Sequence, residues 1–378
     1  MDVVTCLPNH PTGKLHPGYR PQRYQFEELD GLRVHRNWTY LTPNKGLLKK
    51  SLGHLSYLLS AHWNSLSRLK GIDVAIGTSP TFFAAMAAAA TARRYRVPFI
   101  MEVRDLWPSC FVELGVLKQP LLIKLLERWE LSLYRRADRI VTVTESFRKN
   151  LIARGVRSDK ITTIYNGADE QFWKPRPSRP ELRKKLNLES KFVVLYIGAH
   201  GISQALTRVL EAARRLSSDT LVHFLFVGEG AEKAQLMQQA AKWNLSNVTF
   251  LKPVAKEEVA KFYSVADVCL VPLRKIDLFR AFIPSKIFEM MAMKKPILAS
   301  LEGEAADILE KSGGAVVVPP EDSGKIAQAI LRMKKEPQSL VDMGERGREF
   351  VTEHFSRRTF AAKYLALIEQ SIEEKLVP

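Results

Sequence analysis

The chain is poor in cysteine, with three in 378 residues. Cys6, Cys110 and Cys269 lie far apart and at no metal-ligand spacing. An odd, unclustered set excludes a disulfide framework and points to a reducing compartment. Long apolar runs are missing too. No segment approaches the ~20 apolar residues of a membrane span, and the run at 84–92 is closed by Arg93-Arg94. Low-complexity tracts and sequence repeats are absent. Acidic residues are scarce relative to basic ones, 40 against 57, for a formal charge of +17. With 46% hydrophobic residues, a disordered basic tail does not explain that charge. Such an excess attracts phosphate-rich partners: nucleic acid, anionic lipid or nucleotide sugars. No compact basic motif or RNA-binding signature supports the first of these. Asp2–Leu7 read as a strand already under way, so no signal peptide is expected.

What is present is alternation. From about residue 71 the pattern predicts strands at 72–77, 97–103, 139–143 and 160–165, with helices at 81–95, 117–136 and 146–154. This order implies a parallel sheet covered by helices on both faces. Pro175, Pro177 and Pro180 then mark a linker. The alternation restarts with strands at 192–197, 221–227, 247–250, 268–271, 296–300 and 315–318, and three helices finish the chain. The expected architecture is two doubly wound α/β domains, residues 1–173 and 174–355, with a C-terminal helix over 356–378 packing back toward the first. Ligands of such folds bind at the carboxyl ends of the strands.

Five consecutive strands of the second half run into loops that carry glycine, charge or a helix start. The first contains Gly198, His200 and Gly201, followed by a helix whose N-terminus suits phosphate. There His200 either donates to a phosphate oxygen or is a loop histidine bonded to backbone. The second is Gly228-Glu229-Gly230, and the third opens at Leu251, where backbone could read a base edge or the strand simply exits. After the fourth strand comes Ile283-Pro284-Ser285-Lys286-Ile287-Phe288-Glu289. Pro284 and Ser285 suit the first positions of a helix. Lys286 adds a full charge to the positive helix end, and Glu289 follows it by three residues, near one face. Read alone, this segment is equally a capped core helix with two solvated charges. The coincidence of five such loops on one sheet edge favours a nucleotide.

In this order, these residues resemble the donor domain of a family 4 glycosyltransferase of the GT-B fold. The resemblance extends over nearly the whole chain. Glu102-Val103-Arg104-Asp105-Leu106-Trp107-Pro108 is similar to a segment of bacterial transferases of the WbuB and WcaI type, which build lipid-linked O-antigen, capsule or colanic acid chains. Asn9-His10-Pro11-Thr12 is similar to the acceptor-side loop of that subgroup. The resemblance implies two Rossmann-like domains facing across a cleft. It also implies a nucleotide-diphospho-sugar donor, a UDP-sugar, on the second domain, and a saccharide acceptor over the first. It implies no cofactor and no bound metal, since helix ends and cations stabilise the leaving diphosphate. Glu289 matches the glutamate that holds the donor ribose, while Ser285 and Lys286 face the diphosphate, bordered by Gly198, His200 and Gly201. Asp105 or Glu102 would act as base or orient the acceptor, with Arg104 on phosphate, although a structural ion pair among the three remains open. The chain departs from the family pattern at Ala281, where a first glutamate is usual, near Gln204, where Arg and Lys are usual, and at Arg104, where His is usual. A first strand and glycine-rich loop, about one βα unit of ~30 residues, is expected ahead of Asp2 and is not found.

Residues 44–70 contain Lys45, Lys49, Lys50, Arg68 and Lys70, no acid, and a series of leucines with Tyr57 and Trp63. This reads as an interfacial helix on an anionic leaflet, or as a core helix with solvated lysines. The first reading implies a protein on the cytoplasmic face of the plasma membrane with a polyprenyl-diphosphate-linked acceptor. The helix at 117–136 reads as an ordinary surface helix. A nucleotide-sugar epimerase of the same fold, or an inactive truncated transferase, is the alternative.

Overall fold

The computed structural model describes residues 1–9, 13–41, 47–64, 67–177 and 180–376. The chain divides into two compact units, residues 1–164 with 364–378, and residues 165–363. The division therefore falls at 164/165 and 363/364, against the expected 173/174 and 355/356.

In the first unit the order is β1 (Asp2–Cys6), β2 (Tyr24–Leu29), β3 (Leu32–Asn37), α1 (Leu47–Asn64), β4 (Ala75–Thr78), α2 (Phe82–Tyr95), β5 (Phe99–Val103), α3 (Ser109–Glu113), α4 (Pro120–Arg136), β6 (Arg139–Thr142), α5 (Glu145–Ala153) and β7 (Ile161–Thr163). Four strands pair in parallel as β4-β5-β6-β7, as the alternation predicts. The other three form a separate sheet, β1-β3-β2, in which β2 runs antiparallel to β3. That hairpin was not expected. Its turn is Asp30-Gly31, with φ of 49° and 77°, both in the left-handed region that a two-residue hairpin loop requires. Tyr57 of α1 lies over β1, its hydroxyl donating to the Val4 carbonyl at 2.9 Å. Helix α4 begins at Pro120 rather than residue 117, because proline suits the first helical position.

The second unit holds α6 (Pro180–Lys185), β8 (Phe192–Ile197), α7 (Leu206–Arg215), β9 (Val222–Val227), α8 (Lys233–Lys242), β10 (Val248–Leu251), α9 (Lys256–Val265), β11 (Val268–Pro272), α10 (Lys286–Ala292), β12 (Ile297–Ser300), α11 (Glu304–Ser312), β13 (Ala315–Val318), α12 (Ser323–Lys335) and α13 (Pro337–His354). The last helix, α14, covers Arg357–Leu376, and its residues from Tyr364 onward belong to the first unit. One six-stranded sheet runs β10-β9-β8-β11-β12-β13, all parallel. The order reverses between β8 and β11, which is where a doubly wound sheet opens a crevice at its carboxyl edge. Every residue of β9, β11 and β12 is buried. Leu206, Val209, Leu210 and Ala213 of α7 pack on Val194, Phe224 and Phe226 on one face of the sheet. Strands buried on both faces read as continuous apolar runs, as here.

Candidate functional site

The carboxyl ends of β8, β9 and β10 come together through their glycines. Gly198 adopts φ +145° and Gly228 φ +146°. A Cβ on Gly228 would lie 1.9 Å from the Gly198 carbonyl oxygen, and one on Gly230 would lie 2.3 Å from that of His200. The second loop is thus glycine-rich because the first is pressed against it, a constraint of packing rather than of ligand approach. Gly201 has more room, with only the Gln204 Oε1 near its Cβ position, at 3.1 Å.

Lys233 fixes this arrangement. It is buried in the first turn of α8, and its Nζ donates to the carbonyls of Gly228 and Leu251, both at 2.8 Å, and reaches Glu229 Oε2 at 3.4 Å. It was not among the expected site residues. The available signal was its place four residues after Glu229, the spacing of a helical ion pair. Glu229 itself is exposed apart from this contact.

Lys286 enters from α10. The helix is shorter than the expected start at Pro284: Ser285 is its N-cap, no side chain caps it, and its seven residues begin at Lys286. The Lys286 Nζ donates to the Ile197 carbonyl at 3.1 Å and lies 4.4 Å from the centroid of the Tyr196 ring. A Cβ on Gly198 would come within 2.9 Å of that Nζ, so the glycine opens the space the ammonium fills. Burial pulls the ammonium down to about 8, against the opposing pull of Glu289. Glu289 accepts from the Tyr263 hydroxyl at 3.4 Å. Burial pushes its carboxyl above the usual range, while Arg357, Lys256, Tyr263 and Lys286 draw it back. Lys286 and Glu289 are thus brought together at the crevice, with Ala281 on the short turn that precedes them.

His200 is wholly buried among Tyr196, Phe226 and Phe250, with ring centroids at 5.7, 6.2 and 6.3 Å. Neither ring nitrogen has a hydrogen-bond partner. Its backbone is bonded, N–H to the Glu229 carbonyl at 2.9 Å, but its ring is not, so the expected backbone-bonded imidazole is corrected. Burial first, and Lys233 second, pull it down to about 4, so the ring is neutral near pH 7.

In the first unit, Glu102 is the penultimate residue of β5, and Arg104 and Asp105 follow the strand. Glu102 and Arg104 stand 3.8 Å apart as a loose, partly exposed ion pair. Asp105 takes no part in it. The Ser79 hydroxyl accepts from the backbone N–H of Arg104 (2.9 Å) and Asp105 (3.3 Å) and donates to the Asp105 carbonyl (3.1 Å). Burial pushes the Asp105 carboxyl up to about 6, with Arg104 opposing. Of the acceptor-side residues, Asn9 donates to the Leu7 carbonyl at 2.8 Å, while His10, Pro11 and Thr12 lie outside the described residues. So do Lys45 and the side chains of Lys49 and Lys50.

Residues 178–350 match the family model described as glycosyl transferases group 1, and residues 1–167 match a glycosyl transferase 4-like domain. The chain is 27% identical over 346 residues to an Escherichia coli (strain K12) protein assigned to colanic acid biosynthesis as glycosyl transferase WcaI, covering 88% of this chain and 84% of that one. It is 26% identical to an alpha-galactosylglucosyldiacylglycerol synthase of Streptococcus pneumoniae, over 64% of each chain. Among solved structures, HepE from Anabaena in complex with UDP and glucose superposes with a TM-score of 0.69 at 18% identity, over 90% of this chain and 86% of that one. Sucrose-phosphate synthase from Thermosynechococcus elongatus superposes with a TM-score of 0.73 at 18% identity, over 98% and 88%.

Proposed function

This chain belongs to the family 4 glycosyltransferases of the GT-B type, and from that premise we propose that it moves a sugar from a UDP-sugar to a lipid-linked saccharide in bacterial surface-polysaccharide synthesis. The observation that carries the reading is the pairing of Lys286 and Glu289 on one helix at the carboxyl edge of the second sheet. In it, Lys286, with the backbone N–H of Ser285 beside Pro284, meets the diphosphate, and Glu289 takes the ribose hydroxyls. The loop carbonyls at Gly228 and Leu251, held by Lys233, border the base. HepE, of the same fold, is described in complex with UDP and glucose, and the E. coli relative is assigned to a polysaccharide pathway. The Streptococcus relative is named for a diacylglycerol product, which supports an acceptor carried on lipid.

The chemistry asked of the protein is to stabilise a departing diphosphate and to position an acceptor hydroxyl. A cation held in a largely dry crevice is worth more there than in water, and it costs no reorganisation when charge develops. No metal or cofactor is invoked. Asp105, with its carboxyl near 6, would accept or orient the acceptor proton near neutral pH. Arg104 would contact acceptor phosphate. The protein would work at the cytoplasmic face of the plasma membrane. Among the described residues no helix is long and apolar enough to cross a membrane.

Titration calorimetry with UDP tests this. The full-length protein should bind UDP, and Glu289→Ala should bind it much more weakly with its thermal unfolding unchanged. Equal affinity in both would refute the assignment. Incubation with UDP-sugars and no acceptor should leave them unchanged. Formation of an epimer would instead establish the epimerase alternative.

A further inference from the structure

Helices α1 and α4 flank α2 on one face of the first unit, and between them lies an open groove of about 1000 Å³. Its floor is the outer side of α2: Phe82, Met86, Ala89 and Ala90. The small residues of the Ala-rich α2 keep this floor low, and Phe82 stacks beneath Trp129 of α4 at 6.5 Å, 7° from parallel. The walls are apolar yet face solvent. Leu59 of α1 and Trp129 of α4 line the groove and are 54 and 45% exposed. Beyond the groove the same two helices also expose Leu52, Leu55 and Trp63 (55, 41 and 76%) and Leu121, Leu122 and Leu125 (84, 41 and 43%). Eight large apolar side chains on two neighbouring helices are not the scattered exposure of an ordinary surface.

The charges at the far end are all of one usable sign. Arg93, Arg96 and Arg136 line the groove and are exposed, and none has a carboxylate within ion-pair distance among the described residues. The one acid there, Asp138, is taken by Lys375 at 3.1 Å and by the backbone N–H of Phe99 at 2.8 Å. An apolar trough ending in three free guanidinium groups is complementary to an amphiphile with an anionic head. Trp129 at its rim suits the boundary between water and hydrocarbon.

We propose that this face of α1, α2 and α4 docks on an anionic phospholipid bilayer, with one lipid chain lying in the groove and its phosphate on Arg93, Arg96 and Arg136. This deepens the membrane partner of the proposed function and corrects the sequence reading of α4 as an ordinary surface helix. It needs no statement about the donor site, so the two can fail separately.

The test is flotation of the full-length protein with phosphatidylcholine vesicles, with and without phosphatidylglycerol. The protein should float with the anionic vesicles and remain behind with the neutral ones. The triple variant Arg93→Gln, Arg96→Gln, Arg136→Gln should lose binding by about tenfold or more, as expected for removing three lipid-facing cations, with UDP binding unchanged. Bromine-labelled acyl chains should quench tryptophan fluorescence in the parent, and quench it less in Trp129→Phe. Absence of binding to anionic vesicles would overturn the proposal. So would undiminished binding by the triple variant, equal binding to neutral vesicles, or light scattering showing that the face is buried in a stable dimer.

Discussion

The second unit buries every residue of β9, β11 and β12 in one continuous sheet. The first leaves all five residues of β1 half-buried and Ile76 of β4 42% exposed. Both are built from the same alternation of strand and helix, yet one forms a single sheet with a wholly buried centre and half-buried edges, and the other is divided into two sheets. Positioning of a reacting phosphate needs rigid support. In the proposed reading the closed sheet carries the donor phosphate, and the open faces of the first unit carry the membrane.

The sharpest way to test this contrast is at Lys286. Lys286→Met keeps the volume and removes the charge, and sugar transfer should fall about a thousandfold, measured as UDP release, with thermal unfolding little altered. Next comes the sheet itself. Leu195 of β8 is wholly buried, and Leu195→Ala should cost about 3 kcal/mol by chemical denaturation. Glu289→Ala should weaken UDP binding by about thirtyfold, the size expected for lost hydrogen bonds to a charged group. In the first unit the effect at Asp105 should be one of pH. With its carboxyl held near 6, the ionised carboxylate is present above that pH. The transfer rate should therefore drop about tenfold per unit as pH falls below 6, and Asp105→Asn should remove that limb of the profile. Smallest is Ile76→Thr, expected to change stability by less than about 0.5 kcal/mol. A cost equal to that of Leu195→Ala would erase the distinction between the two units.

Much of this was readable from the chain. Strand β8 falls where the apolar run 192–197 predicts it, because a strand buried on both faces leaves an uninterrupted signal. The β2–β3 hairpin did not register, although Asp30-Gly31 is a turn signal. Its strand Tyr24–Leu29 is half exposed, mixes acids with aromatics, and gives little alternation to read. At the site, Lys286 and Glu289 were legible because helical spacing alone brings them together. Lys233, Tyr263 and Arg357 were not, since they reach the site from other elements and only folding makes them neighbours. His200 was legible as a position and misread as a bonding partner, since nothing local foretells that three rings will close around it. The exposed side of α4 was also invisible, because amphipathic periodicity does not say which face meets water.

Lys233 has a consequence for how a nucleotide would be received. One ammonium holds the carbonyls of two successive loops, Gly228 and Leu251, with bonds that exist before any ligand arrives. The two loops therefore cannot wander independently. The entropy of ordering them is spent when the unit folds, not when the nucleotide binds. Lys233→Met should accordingly leave loops that still fit a nucleotide but must first be gathered, so that affinity is lost through slower capture and a larger entropic penalty rather than through any missing contact.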